Sequence, residues 1–438
     1  MSLKKQLLRV GLASIIIRVI GTALSFFLAV ILARTLGADG FGIYSFVLSL
    51  LIILAIPIQS GFPNLAVRET SKASINGNWL LIKGIWLWTV KIISIYTLLL
   101  LLLFLPYFFN IHWLSNDRQQ VLIVGFFLIP FIAILNTQGA IIRGLGKVII
   151  GIIPDTIIRP GLALIFMVFV ISFSSKCILT PHTAMLLYTT SVFSALCISF
   201  ILMWRLIPKN HRNLALFNIE KVKWKKAVYP LTIVGGLQIM YVYIDIIILG
   251  FFHSDQEVGI YRVVGQLGTL VVFGLTAINQ MLHPYFSKLY ATKDMHNLQK
   301  IVSYSSLAIF AFATIPALIF LVGGEFILKF IFGDLYVMGF VPLIILTIGQ
   351  LANATFGSVG ALLNMTGHEK DAMRGMFYSL FINVILAFLL IPQYGMVGAA
   401  ISTAISLVVW NMILHYYVKK RLDIESIGFI QIYKQRGF

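Results

Sequence analysis

Long apolar runs restrict the fold of this 438-residue chain more than any other feature. A helix needs about 20 mostly apolar residues to cross roughly 30 Å of hydrocarbon. Twelve runs approach or exceed that length when the chain is divided at charged residues and at Pro, Gly or Asn breaks. The predicted spans are residues 10–33, 41–62, 83–105, 120–142, 149–173, 182–204, 227–250, 258–282, 301–322, 338–363, 373–391 and 395–418. The first run lacks the small-residue cleavage pattern of a signal peptide, so we expect it to be a retained span.

Charged residues are few, strongly basic and unevenly distributed. They make up 11% of the chain, against about a quarter in a soluble domain, and give a net charge of +18. With a cytoplasmic N-terminus, nearly all loop lysines and arginines fall on the cytoplasmic side, and the opposite side carries only Arg118, Lys176 and Lys329. The positive-inside rule therefore predicts an even number of spans with both termini in the cytoplasm. Because this charge sets orientation, we expect no nucleic-acid partner.

The sequence contains an internal repeat, with six predicted spans in each half. The basic connection RLIPKNHRNLALFNIEKVKWKKAVYP divides the spans six and six. FGIYSFVLSL at Phe41 matches VGIYRVVGQL at Val258 with an offset of 217, and GAIIRGLG at Gly139 matches GALLNMTG at Gly360 with an offset of 221. We predict an all-α integral membrane protein with a six-helix lobe at 1–207, a basic linker at 208–226 and a second six-helix lobe at 227–438. Such parallel repeats are typical of transporters.

Three segments resemble a known family. They are AVILARTLGADGFGIYSFVLSL, DIIILGFFHSDQEVGIYRVVGQL and NVILAFLLIPQYGMVGAAISTAIS. Over essentially the whole chain the sequence is similar to the polysaccharide-biosynthesis flippases, which translocate O-antigen and capsule units and belong to the multidrug/oligosaccharidyl-lipid/polysaccharide (MOP) superfamily. The motif positions here are Arg34, Gly37, Gly42, Gly259, Pro392 and Gly395.

The resemblance implies a fold and a function. The fold is a V-shaped pair of six-helix bundles that alternate between inward-open and outward-open states. The implied substrate is an oligosaccharide on undecaprenyl pyrophosphate, moved from the cytoplasmic to the periplasmic leaflet of a bacterial inner membrane. The implied partners are membrane lipid and a polysaccharide polymerase, with H+ or Na+ as candidate coupling ions. No nucleotide motif or metal-ligand spacing is present, so we expect no cofactor, no metal and no enzymatic activity.

Five basic residues lie within spans or at their edges, where a charge costs about 2.5 to 3.5 kcal/mol on insertion scales. They are Arg18, Arg34, Lys91, Arg159 and Arg262. Arg18 either snorkels to the cytoplasmic surface or faces a central cavity and binds pyrophosphate bidentately. Arg34, at the outer end of the same span, is interpreted as a structural cap or anchor. RVIG at Arg18 also resembles lipid II flippases, but Leu24 stands where that branch has a second arginine.

Two acid–base pairs are predicted. Asp245 lies nine residues before Ser254 and Arg262 eight residues after it, so an antiparallel hairpin would bring both to one depth. That pair is either structural or a coupling gate. Asp155 and Arg159 are four residues apart and flanked by prolines, so they either line the cavity with Arg18 and Arg262 or stabilise a kink.

Polar residues inside the spans are candidates for substrate specificity or for interhelical hydrogen bonds. They are Gln59, Asn136, Gln138, Gln238, Asn279 and Asn353. Two other functions remain possible from sequence. A cation-coupled multidrug exporter would favour acids within its spans, and a membrane polymerase would need a larger outer loop.

Overall fold

The computed structural model describes residues 3–109, 115–173, 179–208 and 220–428, and every regular element in these ranges is helical. The chain divides into two compact units, Met1–Tyr243 and Ile244–Phe438. The division falls inside a helix, beyond the predicted linker 208–226, of which residues 209–219 lie outside the described ranges.

The first unit contains α1 (Leu3–Leu54), α2 (Ile56–Gln59), α3 (Phe62–Ile75), α4 (Trp79–Phe109), α5 (Asn116–Gly125), α6 (Leu128–Gly144), α7 (Val148–Ile153), a π-helix (Pro154–Ile158), α8 (Arg159–Phe173) and α9 (Pro181–Leu206). Helix α10 (Lys221–Phe252) contributes to both units. The second unit continues with α11 (Asp255–Val271), α12 (Phe273–Ala291), α13 (Met295–Phe332), a 3₁₀-helix (Asp334–Gly339), α14 (Phe340–Phe356), α15 (Val359–Met365) and α16 (Glu369–Leu422).

The number of spans is consistent with the prediction. Within the described ranges nine helices are long and apolar enough to cross a membrane, and the pair α11–α12, bent by 44°, is a tenth candidate. Helices α1 and α16 are long enough to cross twice, and each contains a glycine outside helical geometry, Gly37 (φ 68°) and Gly395 (φ 54°). A positive φ strains any residue with a Cβ, so these motif glycines provide the breaks. Counting both sides of each break agrees with the predicted twelve spans.

Matching helix ends support the predicted repeat. Gly146 and Gly367, which end the two matched octets, adopt φ of 79° and 82°. In each unit the next backbone N–H donates to the carbonyl five positions back, at 3.2 Å in the first and 2.9 Å in the second. This is the Schellman arrangement that closes a helix.

A second equivalent turn joins α3 to α4 and α12 to α13. Its left-handed position is Gly77 (φ 63°) in the first unit and Lys293 (φ 57°) in the second. In both, the following N–H bonds five positions back at 2.9 Å. The backbone is therefore the same although only one unit has the glycine that the conformation favours.

Each unit has its own apolar core near these turns. In the first, Trp88 packs on Phe62 and on Trp224, with ring centroids 5.5 and 5.4 Å apart. In the second, Phe286 and Leu414 lie in a buried cluster.

Candidate functional site

A charged pair occupies the π-helix of the first unit. Arg159 Nη2 lies 3.3 Å from Asp155 Oδ1, and Arg159 Nε donates to the Asp155 carbonyl at 3.3 Å. The pairing predicted from the four-residue spacing is therefore present. The Arg159 N–H donates to the carbonyl of Pro154, five residues earlier, which is the wide turn of a π-helix. Such turns occur often at functional sites.

Two more arginines belong to this cluster. Arg143, in the last turn of α6, lies within electrostatic range of Asp155 and of Arg18, and its Nη1 donates to the Gly151 carbonyl at 3.4 Å. Arg18 is exposed on α1. Arg143 and Arg159 therefore lie near one carboxylate, and Arg18 lies near Arg143, which leaves an excess of positive charge suited to an anion.

Close backbone contacts hold the cluster together. A Cβ on Gly151 would lie 2.6 Å from the Gly139 carbonyl oxygen, so α6 and α7 touch through their backbones. A Cβ on Gly21 would lie 2.5 Å from the carbonyl oxygen of Thr156, so α1 is held equally close to the π-helix. Glycines allow these approaches because they have no side chain.

Tyrosines surround the Arg159 end of the cluster. Tyr188, Tyr243 and Tyr44 lie near the Arg159 guanidinium. The rings of Tyr44 and Tyr188 meet edge to face, with centroids 6.2 Å apart at 84°. Tyrosine combines an apolar ring with a hydroxyl group, so this end offers both kinds of contact.

The second unit contains a buried carboxylate, Asp245, which is 4% exposed. Its Oδ2 accepts hydrogen bonds from the Thr403 hydroxyl and, at 3.4 Å, from Asn383 Nδ2. The Thr403 hydroxyl lies 3.0 Å from that of Tyr261. Within the described residues, Oδ1 of Asp245 and Oδ1 of Asn383 have no hydrogen-bond partner. Two buried oxygens of this kind are suited to accept a proton or to coordinate a small hard cation.

Arg262 is not among the hydrogen-bond donors to Asp245. It is half-buried on α11, directly after Tyr261. Successive residues on a helix point about 100° apart, and Tyr261 is the one that contacts the network around Asp245. The donors to Asp245 among the described residues are Thr403 and Asn383, and the pairing of Asp245 with Arg262 as a gate stays a prediction.

Glu257 and His253 form a polar clamp across the break at Gly395. Glu257 Oε2 accepts a hydrogen bond from the backbone N–H of Met396 at 3.0 Å. The His253 ring contacts two groups: Nδ1 lies 3.1 Å from Glu257 Oε1, and Nε2 lies 2.7 Å from the Ile391 carbonyl oxygen. A Cβ on Gly395 would collide with the Glu257 carboxylate. The clamp therefore spans the break that contains Pro392.

The remaining motif positions differ in burial. Gly42 and Gly259 are buried, and Arg34 is exposed three residues before the break at Gly37.

The predicted polar residues divide between bonded and unbonded groups. Gln59 donates to the Ile52 carbonyl at 2.8 Å, and Asn353 accepts from Asn411 at 2.9 Å, which joins α14 to α16. Buried Oδ1 of Asn279 and Oε1 of Gln138 lack a partner within the described residues. Asn136 is half-buried and Gln238 is exposed.

Sequence reasoning missed three residues. Arg143 lies one residue beyond the predicted span 120–142, and neither Thr403 nor Asn383 is among the candidates named from the sequence. A usable signal existed for Arg143, since it lies inside a repeated octet whose second copy has Asn364 at that position. For the other two, the signal was a polar side chain within an apolar run.

Relatives of known family share sequence with this chain. "Probable low-salt glycan biosynthesis flippase Agl15" of Haloferax volcanii is 26% identical over 219 residues, covering 50% of this chain and 44% of the relative. "Probable flippase AglR" of the same organism is 31% identical over 177 residues, covering 40% and 37%. "Capsular polysaccharide biosynthesis protein CapF" of Staphylococcus aureus is 28% identical over 230 residues, covering 51% and 57%. The chain thus matches roughly half of each relative's length.

Solved structures share the fold. A multidrug resistance MATE family transporter of the MOP superfamily, in an inward-facing conformation, superposes with a TM-score of 0.74 at 11% identity over 93% of this chain and 98% of that chain. The lipid II flippase MurJ, in an inward closed conformation, gives 0.72 at 15% identity over 98% and 93%. Residues 7–290 match the family described as polysaccharide biosynthesis protein. The chain therefore belongs to the polysaccharide biosynthesis protein family and has the all-helical fold of the MOP superfamily.

Proposed function

We propose that this protein is a flippase, not an enzyme, and that it moves an oligosaccharide linked to undecaprenyl pyrophosphate across a bacterial inner membrane by alternating access. The substrate is an O-antigen or another surface polysaccharide repeat unit. The observation that carries the proposal is the arginine cluster, in which Arg143 and Arg159 lie near Asp155 and Arg18 lies near Arg143.

The chemistry of the substrate fits this cluster. The polyprenyl tail can stay in lipid, whereas the pyrophosphate and the sugars need polar partners in the membrane. Guanidinium groups bind phosphate oxygens bidentately, and one carboxylate does not neutralise three of them. The tyrosines beside Arg159 would contact the sugars next to the pyrophosphate. Arg262, on the second unit, remains a candidate for a further contact with the anionic headgroup.

The buried carboxylate of the second unit supports cation coupling. Asp245 and Asn383 each have one buried side-chain oxygen without a hydrogen-bond partner among the described residues, and Thr403 donates to the other oxygen of Asp245. Binding of H+ or Na+ there would neutralise the carboxylate in one state of the cycle. Each charge moved through the membrane potential supplies about 2.3 kcal/mol per 100 mV.

A cation-coupled multidrug exporter is the second candidate, favoured by the MATE-like fold and by this carboxylate. Its cationic substrates would be repelled by the three-arginine cluster, so we rank it below the flippase. A membrane polymerase is the third candidate function. Association of the flippase with the polymerase that consumes its product is a separate part of the proposal.

The deciding experiment uses a strain that lacks this gene, complemented with wild type, Arg18→Ala, Arg18→Lys or Lys91→Gln. Lys91, exposed on α4, serves as the control for removing a charge from a span. We expect Arg18→Ala, at normal abundance, to accumulate the lipid-linked unit on the cytoplasmic leaflet and to lower surface polysaccharide. Arg18→Lys should restore part of the activity and Lys91→Gln all of it. If deletion leaves polysaccharide unchanged and sensitises cells to cationic dyes, the exporter function replaces the flippase.

A further inference from the structure

A separate cavity lies on the first unit, away from the arginine cluster. It has a volume of about 130 Å³ and lies between the first turns of α4 and the last turns of α9, with Ile141 of α6 as its floor. Its α4 residues recur at intervals of three and four, so they form one face of that helix. Both helix ends lie on the side that the charge distribution predicts to be cytoplasmic.

The lining combines indole rings with a cation. Trp79 and Trp86 of α4 face Trp204 of α9, and Lys83 lies between the first two in sequence. Arg205 follows Trp204 in the last turn of α9. Among the described residues, the cavity lining includes no acidic side chain. Tryptophan and lysine at helix ends are typical of the level at which lipid headgroups meet acyl chains.

The cavity opens to the lipid-facing surface. Three of its lining residues, Leu87, Phe200 and Trp204, are large apolar side chains that are 38%, 39% and 40% exposed. In a soluble protein such exposure would mark a protein interface, but on a membrane span it marks contact with hydrocarbon. An acyl chain can therefore enter sideways from the bilayer.

The position of the cavity argues against the transported lipid as its occupant. Ile141 faces the cavity, whereas Arg143, two residues later on α6, belongs to the arginine cluster. Residues two apart on a helix point about 200° apart, so the cavity and the cluster lie on opposite sides of α6. A polyprenyl tail in the cavity could not place its pyrophosphate among the arginines.

We propose that this cavity binds the first part of one acyl chain of an anionic phospholipid, next to the headgroup, with the lipid phosphate at Lys83. The occupant would fill the space between α4 and α9 and press Ile141 from the side opposite to the arginines. The site would thereby link the anionic lipid content of the membrane to the packing of α6. This inference does not depend on which substrate the protein moves.

Quenching of tryptophan fluorescence by brominated lipids tests the proposal in the purified full-length protein. We expect brominated-acyl phosphatidylglycerol to quench more strongly, and at lower concentration, than brominated-acyl phosphatidylcholine. Lys83→Gln should weaken the apparent affinity for phosphatidylglycerol about fivefold, the equivalent of about 1 kcal/mol for one basic residue near a membrane surface. Lys91→Gln on the same helix should leave it unchanged.

A second variant keeps the test decisive if Lys83→Gln does not fold. Trp204→Phe preserves an aromatic ring and should reduce the phosphatidylglycerol-specific part of the quenching, whereas Trp410→Phe, in the other unit, should not. Equal quenching by the two lipids in wild type would overturn the proposal. It would also be overturned if a short-chain polyprenyl phosphate displaced phosphatidylglycerol at lower concentration, since the cavity would then belong to the transported lipid.

Discussion

Gly139 and Gly151 bring α6 and α7 into direct backbone contact, so closely that a methyl group on either would lie 2.6 Å from the carbonyl oxygen of the other. This contact lies beside Arg143, whose guanidinium bonds the Gly151 carbonyl. The arginine cluster is thus fixed by glycine packing as well as by charge.

Gly151→Ala should therefore lower both stability and transport. Its new methyl would also meet Arg143 Cγ at 2.8 Å, and the backbone atoms around it have little freedom to move. Overpacking of this kind costs about 1 to 3 kcal/mol. Thermal unfolding of the purified protein measures the loss, with Gly265→Ala as a control because nothing lies within 4 Å of its added Cβ. Equal melting temperatures for both variants would contradict the predicted backbone contact.

Arg143→Ala should weaken binding of the pyrophosphate group. A hydrogen bond to a charged partner contributes about 1.5 to 3 kcal/mol, or at least a tenfold loss in affinity. The measurement is the shift in melting temperature with added inorganic pyrophosphate or a short-chain polyprenyl pyrophosphate. Arg143→Lys should retain part of the shift, and Arg34→Ala, which alters an exposed arginine on α1, all of it. A full shift in Arg143→Ala would remove this residue from the site.

Lys293→Gly should stabilise the second unit. Lys293 occupies a left-handed conformation that costs a residue with a side chain about 1 to 2 kcal/mol, partly offset by the greater chain entropy of glycine. We expect a net gain of up to about 1 kcal/mol, and a comparable loss for Gly77→Ala at the equivalent turn. Paired thermal unfolding curves test both signs together. A loss of stability in Lys293→Gly would mean that the side chain makes a compensating contact.

Thr403→Val should disturb the coupling site without changing its volume greatly. The substitution removes the hydroxyl donor to Asp245, and loss of a partner of a buried charged group costs about 1 to 3 kcal/mol or more. Wild type should be stabilised by Na+ or by lower pH. Thr403→Val should lose most of the stabilisation by Na+ but gain more from lower pH, because a carboxylate that has lost a donor favours its protonated form. Thr355→Val is the control, because the Thr355 hydroxyl donates to the Leu351 carbonyl of its own helix. Indifference of wild type to both Na+ and pH would count against coupling through Asp245.

Glu257→Ala should weaken the clamp at the second glycine break. The backbone N–H of Met396 would lose its acceptor, at a cost of about 1 to 3 kcal/mol. Limited proteolysis near the break and the melting temperature would report the change. The exposed Glu325 on α13 provides a neutral comparison as Glu325→Ala. Identical behaviour of the two variants would show that the clamp does not hold the break.

Much of the helical framework could be predicted because apolar length and glycine position are local properties. The breaks at Gly37 and Gly395 follow from the apolar pattern, and the Asp155–Arg159 pair follows from spacing along one helix. The neighbours of Asp245 did not follow, because spacing gives the depth of a residue but not the direction in which its helix is rotated. Arg143 was missed for a related reason, since the end of α6 lay beyond the predicted span.

The two Schellman turns at Gly146 and Gly367 show in what respect the two halves of the chain differ. The turn geometry is the same in both, while Arg143 in one octet corresponds to Asn364 in the other. The repeat therefore extends to the backbone of the turn but not to the charge of the side chain before it.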